Sequence, residues 1–329
     1  MLLSSAIRSL PWLVPCALAL AAGCSQANTG FTPQTNRSAV WTGAFVGDED
    51  YRSGFARHAR TTGRPPQLLL NFTPWRQRGP LPFPENFCRF AERRDVVPVI
   101  TWEPWEPWTD WYARLADIAE GKEDDRIGQW AEQARRFRRP ILLRFAHEMN
   151  GDWYPWSVGK DPAQRPEDYV AAWRRIHALF QERRADNVRF VWSPNFEPVD
   201  NLASYYPGDD VVDWIGLDVY NHPKWPRSPG ELIDPVYRFA DRRNKPILLA
   251  EVASAERFVP TTQPDTPVRW RSKAIWIEHL FREIAERPKI QGLIWFDIAK
   301  EADWRIESSP AAARAYRRGL ALLDDLKSG

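Results

Sequence analysis

Eight short apolar runs, each bounded by turn residues and followed by a helix-patterned stretch or a loop, constrain this chain more than any other feature. They are 41–46, 67–72, 96–101, 141–145, 188–192, a run within 211–219, 246–250 and 291–296. Such runs are too short for helices and too continuously apolar for a sheet with one wet face, so they read as parallel strands covered on both sides. Helical patterns at 50–60, 86–94, 124–138, 166–184, 231–243, 270–286 and 311–326 alternate with them, with a short extra one at 110–120. Two are well marked. The stretch 124–138 sets Ile127, Trp130, Ala131, Ala134 and Phe137 on one face, and 166–184 opens on Pro166 and turns Tyr169, Ala172, Trp173, Ile176 and Phe180 inward. Eight such units predict a closed parallel (β/α)8 barrel, a TIM barrel, as a single domain, which 329 residues accommodate. A doubly wound open sheet would carry a glycine-rich first turn for phosphates; Gly47-Asp48-Glu49-Asp50 lacks that spacing and is acidic.

The amino terminus stands apart from this pattern. Arg8 precedes an apolar stretch over 10–20 that is too short to span a bilayer, and Ala21-Ala22-Gly23-Cys24 resembles a bacterial lipobox. Residues 1–24 are therefore expected to be a signal peptide, with Cys24 lipidated, 25–38 a polar flexible tether and 39–329 the barrel. A simply cleaved signal and a secreted or periplasmic product is the alternative. Cys16 would leave with the signal, which strands Cys88 without a disulfide partner and makes it a small buried side chain rather than a reactive thiol.

In barrels of this kind chemistry gathers at the C-terminal ends of the strands. Glu148 follows the fourth run in Ile141-Leu142-Leu143-Arg144-Phe145-Ala146-His147-Glu148, and Glu251 follows the seventh. Strands four and seven face each other across a barrel mouth, so the two carboxyls can meet across one sugar ring. Hydrolysis of a glycosidic bond with retention needs such a pair, one as acid and then base, the other as nucleophile about 5 to 5.5 Å away. Eighteen tryptophans, many beside Pro in loops, suggest flat platforms for sugar faces. Trp75, Trp102, Trp105, Trp153, Tyr154 and Trp156 are the candidate walls. Asn195 is a hydrogen-bonding candidate, Glu103 a polar substrate contact or a structural group, and Arg144 a buried partner for a carboxylate.

Several classes are disfavoured. A net charge of +2 offers no field for nucleic acid. Histidines at 58, 147, 177, 222 and 279 have no metal-ligand spacing, and no GxSxG elbow is present. No metal or cofactor is expected. The partner is a polysaccharide, the protein is expected to be a monomer, and membrane contact is expected only through the lipid.

His147-Glu148-Met149-Asn150-Gly151-Asp152-Trp153, the strand Pro246 to Glu251, the segment Asp213 to Asn221 and Ile294-Trp295-Phe296 together resemble glycoside hydrolase family 26. The likeness runs from about Trp41 onward. It implies a retaining endo-β-glycanase with Glu148 as acid/base and Glu251 as nucleophile. It also implies that Tyr220 hydrogen-bonds the nucleophile, that Trp295 lies under the sugar being cleaved, and that His147 orients it. Family members cut β-mannan, mixed-linkage β-1,3-1,4-glucan or β-1,3-xylan. The run Trp153-Tyr154-Pro155-Trp156 leans toward the glucanase type, with a bacterial exopolysaccharide also in view; a mannanase and a non-catalytic polysaccharide-binding barrel are the alternatives.

Overall fold

A computed structural model describes residues 40–258 and 268–328; the signal, Cys24 and the tether lie outside the described residues. Eight parallel strands close into a barrel in chain order, β1 Trp41–Phe45, β2 Leu68–Pro74, β3 Val97–Glu103, β4 Ile141–Phe145, β5 Val188–Trp192, β6 Trp214–Asn221, β7 Ile247–Ser254 and β8 Ile290–Phe296. β8 returns to β1, pairing Trp41 with Gly292 and Phe45 with Phe296. The (β/α)8 expectation therefore holds.

Among the described residues the helices are α1 Tyr51–Thr62, α2 Glu85–Glu92, α3 Leu115–Ala119, α4 Asp124–Phe137, α5 Pro166–Glu182, α6 Leu202–Tyr205, α7 Pro229–Asp241, α8 Lys273–Glu286 and α9 Pro310–Ser328. Their ends follow local chemistry. α7 begins in a capping box between Ser228 and Glu231, α5 has proline in its first turn, and α1 stops at Gly63, whose φ of 85° suits a residue without a Cβ. The short α6 has no amphipathic period and was not foreseen.

Strand pleating divides the core into two layers. Leu68, Leu70, Val99, Leu142, Val191, Leu248 and Ile294 fill the barrel interior. Leu69, Ile100, Leu143, Phe190, Ile215, Leu249 and Leu293 point outward and are covered by the helices. Both faces of the sheet are thus largely covered, as the apolar runs require. Cys88 is buried on α2.

Candidate active site

Above the interior apolar layer the inward positions become polar. Two residues after Leu142, on the same face, Arg144 enters the lumen with no exposed surface. Its guanidinium donates to Glu251 Oε1 at 2.9 Å, to both carboxylate oxygens of Asp218 at 2.9 and 2.7 Å, and to the hydroxyls of Thr101 at 2.9 Å and Ser193 at 3.1 Å. One cation from β4 thereby ties together β3, the segment after β5, β6 and β7. This is the buried partner anticipated for Arg144. His147, Asp218 and Glu251 also bring ligand atoms within 4.8 Å of one another, the spread of a cation site. Arg144 already bonds both carboxylates and supplies the positive charge there.

Glu251 reaches this layer through an irregularity. β7 continues past it to Ser254, so Glu251 lies within the strand rather than after its end. Leu248 and Ala250 point into the barrel, and simple alternation would send residue 251 outward. The pairing register slips between Leu217 and Asp218 on the β6 side and between Leu249 and Val252 on the β8 side. This bulge turns Glu251 into the mouth beside Ala250. There Tyr220, at the end of β6, donates its hydroxyl to Oε2 at 2.6 Å. Burial first, then the charge of Glu251, holds the Tyr220 phenol well above its ordinary range, so it stays a donor.

Glu148 sits just beyond β4 with φ at 53°, a left-handed conformation that a side-chain-bearing residue adopts at a cost. Its backbone N–H donates to Ser193 O at 2.8 Å. Its carboxyl accepts from Asn195 Nδ2 at 2.5 Å and from the Trp153 indole at 2.7 Å. Two further residues of the same loop make this possible. Asn150 accepts from Asn195 N at 2.9 Å and donates to the carbonyls of Asn195 and Pro198, which fixes Asn195 in place. Gly151 lies beneath Trp153, where an added Cβ would fall 2.5 Å from the indole. The indole can fold back to Glu148 only because nothing projects from residue 151.

Three buried acids, Glu148, Asp218 and Glu251, share one guanidinium, so the group favours retention of a proton. Burial, then repulsion from Glu251, pushes the Glu148 carboxyl up to about 7 against the opposing hydrogen bonds. His147 packs between Phe72 and Tyr154 with ring centroids at 5.7 and 4.7 Å, and its Nε2 is 3.8 Å from Glu251 Oε1. Burial and Arg144 hold its pKa well below the ordinary histidine range, so it contributes a neutral imidazole. An acid poised near neutrality stands beside a carboxyl anchored by a guanidinium and a phenol. That division of roles suits double displacement at an acetal carbon.

The glycosyl hydrolase family 26 model matches residues 107–278, a span that carries both glutamates, Arg144, Asp218 and Tyr220. The chain belongs to glycosyl hydrolase family 26. It is 33% identical over 295 residues to Endoglucanase H of Acetivibrio thermocellus, covering 86% of this chain and 30% of that protein. It is 32% identical over 136 residues to mannan endo-1,4-beta-mannosidase A and B of Caldalkalibacillus mannanilyticus, covering 40% and 25%. The chain thus spans less than a third of the length of either relative. Among solved structures, Bacillus subtilis mannanase man26 superposes with a TM-score of 0.62 at 18% identity, covering 87% of this chain and 86% of the other. The Bacteroides ovatus β-mannanase BoMan26A gives 0.60 at 17%, covering 87% and 90%. These likenesses establish a shared fold.

Within this family 26 barrel, His147, Glu148, Trp153, Asn195, Tyr220 and Glu251 gather at the mouth. Four other predicted sugar contacts do not. Trp75, Trp102 and Trp295 have no exposed surface and Trp156 only 1%. Trp102 lies between inward-facing Thr101 and Glu103 and therefore points outward, packing on Trp75 at 4.7 Å and on Trp130 of α4 at 4.8 Å. Trp295 likewise points outward, with its indole donating to Trp304 O and its ring against Tyr316 of α9. The residue beside it, Phe296, faces the lumen and meets Tyr220 at 5.7 Å. Trp156 is fixed by donation to His147 O at 2.8 Å and stacks under Tyr154 at 4.3 Å. Of the tryptophans predicted to contact sugar, Trp153 is exposed, at 44%, and Trp105 is half-buried. Sequence reasoning missed Asp218, Ser193, Thr101, Asn150 and Phe296 as members of the site. Strand alternation, counted from Arg144 or Ile294, was the signal that could have found most of them.

Proposed function

We propose that this chain is a retaining endo-β-glycosidase that cuts a β-linked polysaccharide. The observation that carries the reading is the unequal equipment of the two glutamates, one a buried acid raised to about 7, the other held by Arg144 and Tyr220. Glu148 gives its proton to the glycosidic oxygen as a Glu251 oxygen attacks the anomeric carbon, and the leaving chain departs with that proton. Water then attacks the same carbon, loses a proton to the Glu148 carboxylate and frees Glu251. Tyr220 and Arg144 position Glu251, and Asn195 and Trp153 position Glu148.

Mixed-linkage β-1,3-1,4-glucan is the first substrate. Its support is the likeness to an endoglucanase over 86% of the chain, against 40% for the mannosidase relative. An endo-β-1,4-mannanase is the second reading, favoured by the mannanase names among the relatives. Release of reducing ends from lichenan, glucomannan, xylan and a bacterial exopolysaccharide distinguishes them, and the anomer of the first product tests retention. Glu251→Ala should lower turnover by several orders of magnitude. Near-normal turnover in that variant removes the assignment, and binding without cleavage by the wild type makes the chain a polysaccharide-binding barrel. We also propose export with lipidation at Cys24, tested by labelled palmitate incorporation into wild type and Cys24→Ser.

A further inference from the structure

One carboxyl at the mouth has no part in the chemistry above. Glu103 closes β3 on the inward face, two residues beyond Thr101, and is 5% exposed. Among the described residues its carboxyl is not held by a guanidinium or a backbone N–H. The donor nearest to hand is the indole of Trp105, which lies on the Glu103 side but outside hydrogen-bond geometry and is itself buried without a partner. Trp105 in turn meets Tyr154, the ring that covers His147, at 5.8 Å. The partnerless indole N–H of Trp105 and the Glu103 carboxyl, which accepts no hydrogen bond of normal geometry among the described residues, therefore sit together at the end of β3, beside the loop that carries Glu148. A buried polar group left unpaired costs about 1 to 3 kcal/mol, and natural sites tolerate that where a ligand completes the pairing.

The charge around Glu103 decides which form it takes. Glu251 from β7 and Asp48 from the loop after β1 face it and oppose ionisation, Arg144 from β4 favours it, and the Tyr154 phenol faces it without charge. Burial outweighs all of these and pushes the carboxyl up to about 8, so at neutral pH it is a neutral acid with one O–H to give and one oxygen to receive. A sugar hydroxyl has that same pair of capacities. A carboxylate in its place could only accept.

We propose that Glu103 is a sugar-binding residue of this cleft, its carboxylic acid group exchanging hydrogen bonds with a hydroxyl of the pyranose seated beside Glu251. The proposal rests on the reading of the chain as a β-glycan-cleaving enzyme. Its consequence is a binding step that fails at alkaline pH for a reason separate from loss of the Glu148 proton. Because only the protonated fraction binds, the apparent dissociation constant rises about tenfold from pH 7 to pH 9.

The test removes Glu148 from the titration. Glu148→Gln is titrated calorimetrically with tetrasaccharides from lichenan and from β-mannan at pH 7 and pH 9, in buffers of different ionisation enthalpy. Wild type is assayed on the parent polysaccharides in parallel. The expected result is about tenfold weaker binding at pH 9, with proton uptake on binding near pH 8, for the tetrasaccharide whose parent the wild type cleaves. Glu148→Gln with Glu103→Gln should bind at pH 9 as it does at pH 7, without proton uptake, because the amide keeps one donor and one acceptor. Glu148→Gln with Glu103→Leu, provided its melting temperature is unchanged, should bind weakly at both pH values. Equal affinity at the two pH values in Glu148→Gln, or persistence of the pH dependence after Glu103→Gln, overturns the role of Glu103 while leaving the glycosidase reading intact. Absence of cleavage of every parent glycan by wild type overturns that reading and this one with it.

Discussion

Trp153 is where burial and hydrogen bonding pull Glu148 in opposite directions, which permits a test by sign. Its indole N–H donates to Glu148 Oε2 at 2.7 Å and so favours the carboxylate, while the ring above the group keeps water from it. Burial is the larger influence and leaves Glu148 at about 7. Trp153→Phe removes the donor and keeps most of the cover. A hydrogen bond to a charged group contributes about 1.5 to 3 kcal/mol, part of which water restores at a ring that is 44% exposed. The remainder, near 1.4 kcal/mol, corresponds to about one pH unit. The alkaline limb of kcat/KM, which reports the free enzyme's acid, should therefore move up to about 8 in Trp153→Phe. Trp153→Ala loses donor and cover together, so the limb should move below 7, toward the ordinary glutamate range. The assay is kcat/KM, on a soluble form of whichever β-glycan the wild type cleaves, from about pH 4 to about pH 9 for the three proteins. Shifts of the same sign in both variants, or no shift in either, would refute Glu148 as the titrating acid.

Gly151→Ala should behave like Trp153→Ala rather than Trp153→Phe, because a Cβ 2.5 Å from the indole displaces the whole ring; the same pH profiles check it. Arg144→Met leaves Asp218 and Glu251 buried without their counter-charge, a loss of about 3 to 5 kcal/mol that lowers the denaturant midpoint, and activity should vanish with it. Arg144→Lys should fold better than Arg144→Met yet remain nearly inactive, since an ammonium cannot reproduce the fork that reaches four partners. Lys273→Met, outside the residues gathered around the two glutamates, strands the Asp303 and Arg305 carbonyls, bonded by the amine at 2.9 and 2.7 Å, while the Ser308 hydroxyl loses the amine but keeps its bond to Glu256. It should cost about 2 to 3 kcal/mol in chemical unfolding and leave the pH profile of kcat/KM unmoved.

The strands that could be read to the residue are β4 and β5, each apolar apart from one arginine, Arg144 and Arg189, and each ending on an aromatic residue. Those cut short are β2, β3, β6 and β7, which run past their apolar runs by Thr73-Pro74, Trp102-Glu103, Tyr220-Asn221 and Glu251 to Ser254. The reason is physical. In a barrel of this type the C-terminal ends of strands carry the site, so the residues there are polar, and an apolar run ends where the functional part of the strand begins. Hydrophobic patterning therefore locates such a strand and truncates it at the end that matters. The tryptophans failed for a related reason. Trp102 and Trp295 stand next to site residues in sequence, but neighbours on a strand face opposite sides of the sheet, and adjacency to Glu103 or Phe296 is an argument for the far side.

Glu251 marks where even strict alternation would have misled. Counting from Leu248 and Ala250 assigns position 251 to the helix-facing layer, where an acid without a partner would be expensive to bury. The register slips on both flanks of β7 reverse that assignment by one residue, and Val252 returns to the outward layer. No residue type announces the bulge: Ala250 and Val252 are ordinary strand residues, and neither glycine nor proline stands between Pro246 and Ser254. An inward Glu251 gains the Arg144 guanidinium as its counter-charge. That guanidinium is also held by the Asp218 fork, Thr101 and Ser193, and an outward Glu251 would add a second empty donor to Nε, which already has no partner in the dry interior. The bulge in β7 is thus specified from β4, a contact of 107 residues' separation. On this account Arg144→Met loses the cause of the bulge along with a counter-charge, and the outward pairing of β7 becomes its competing state.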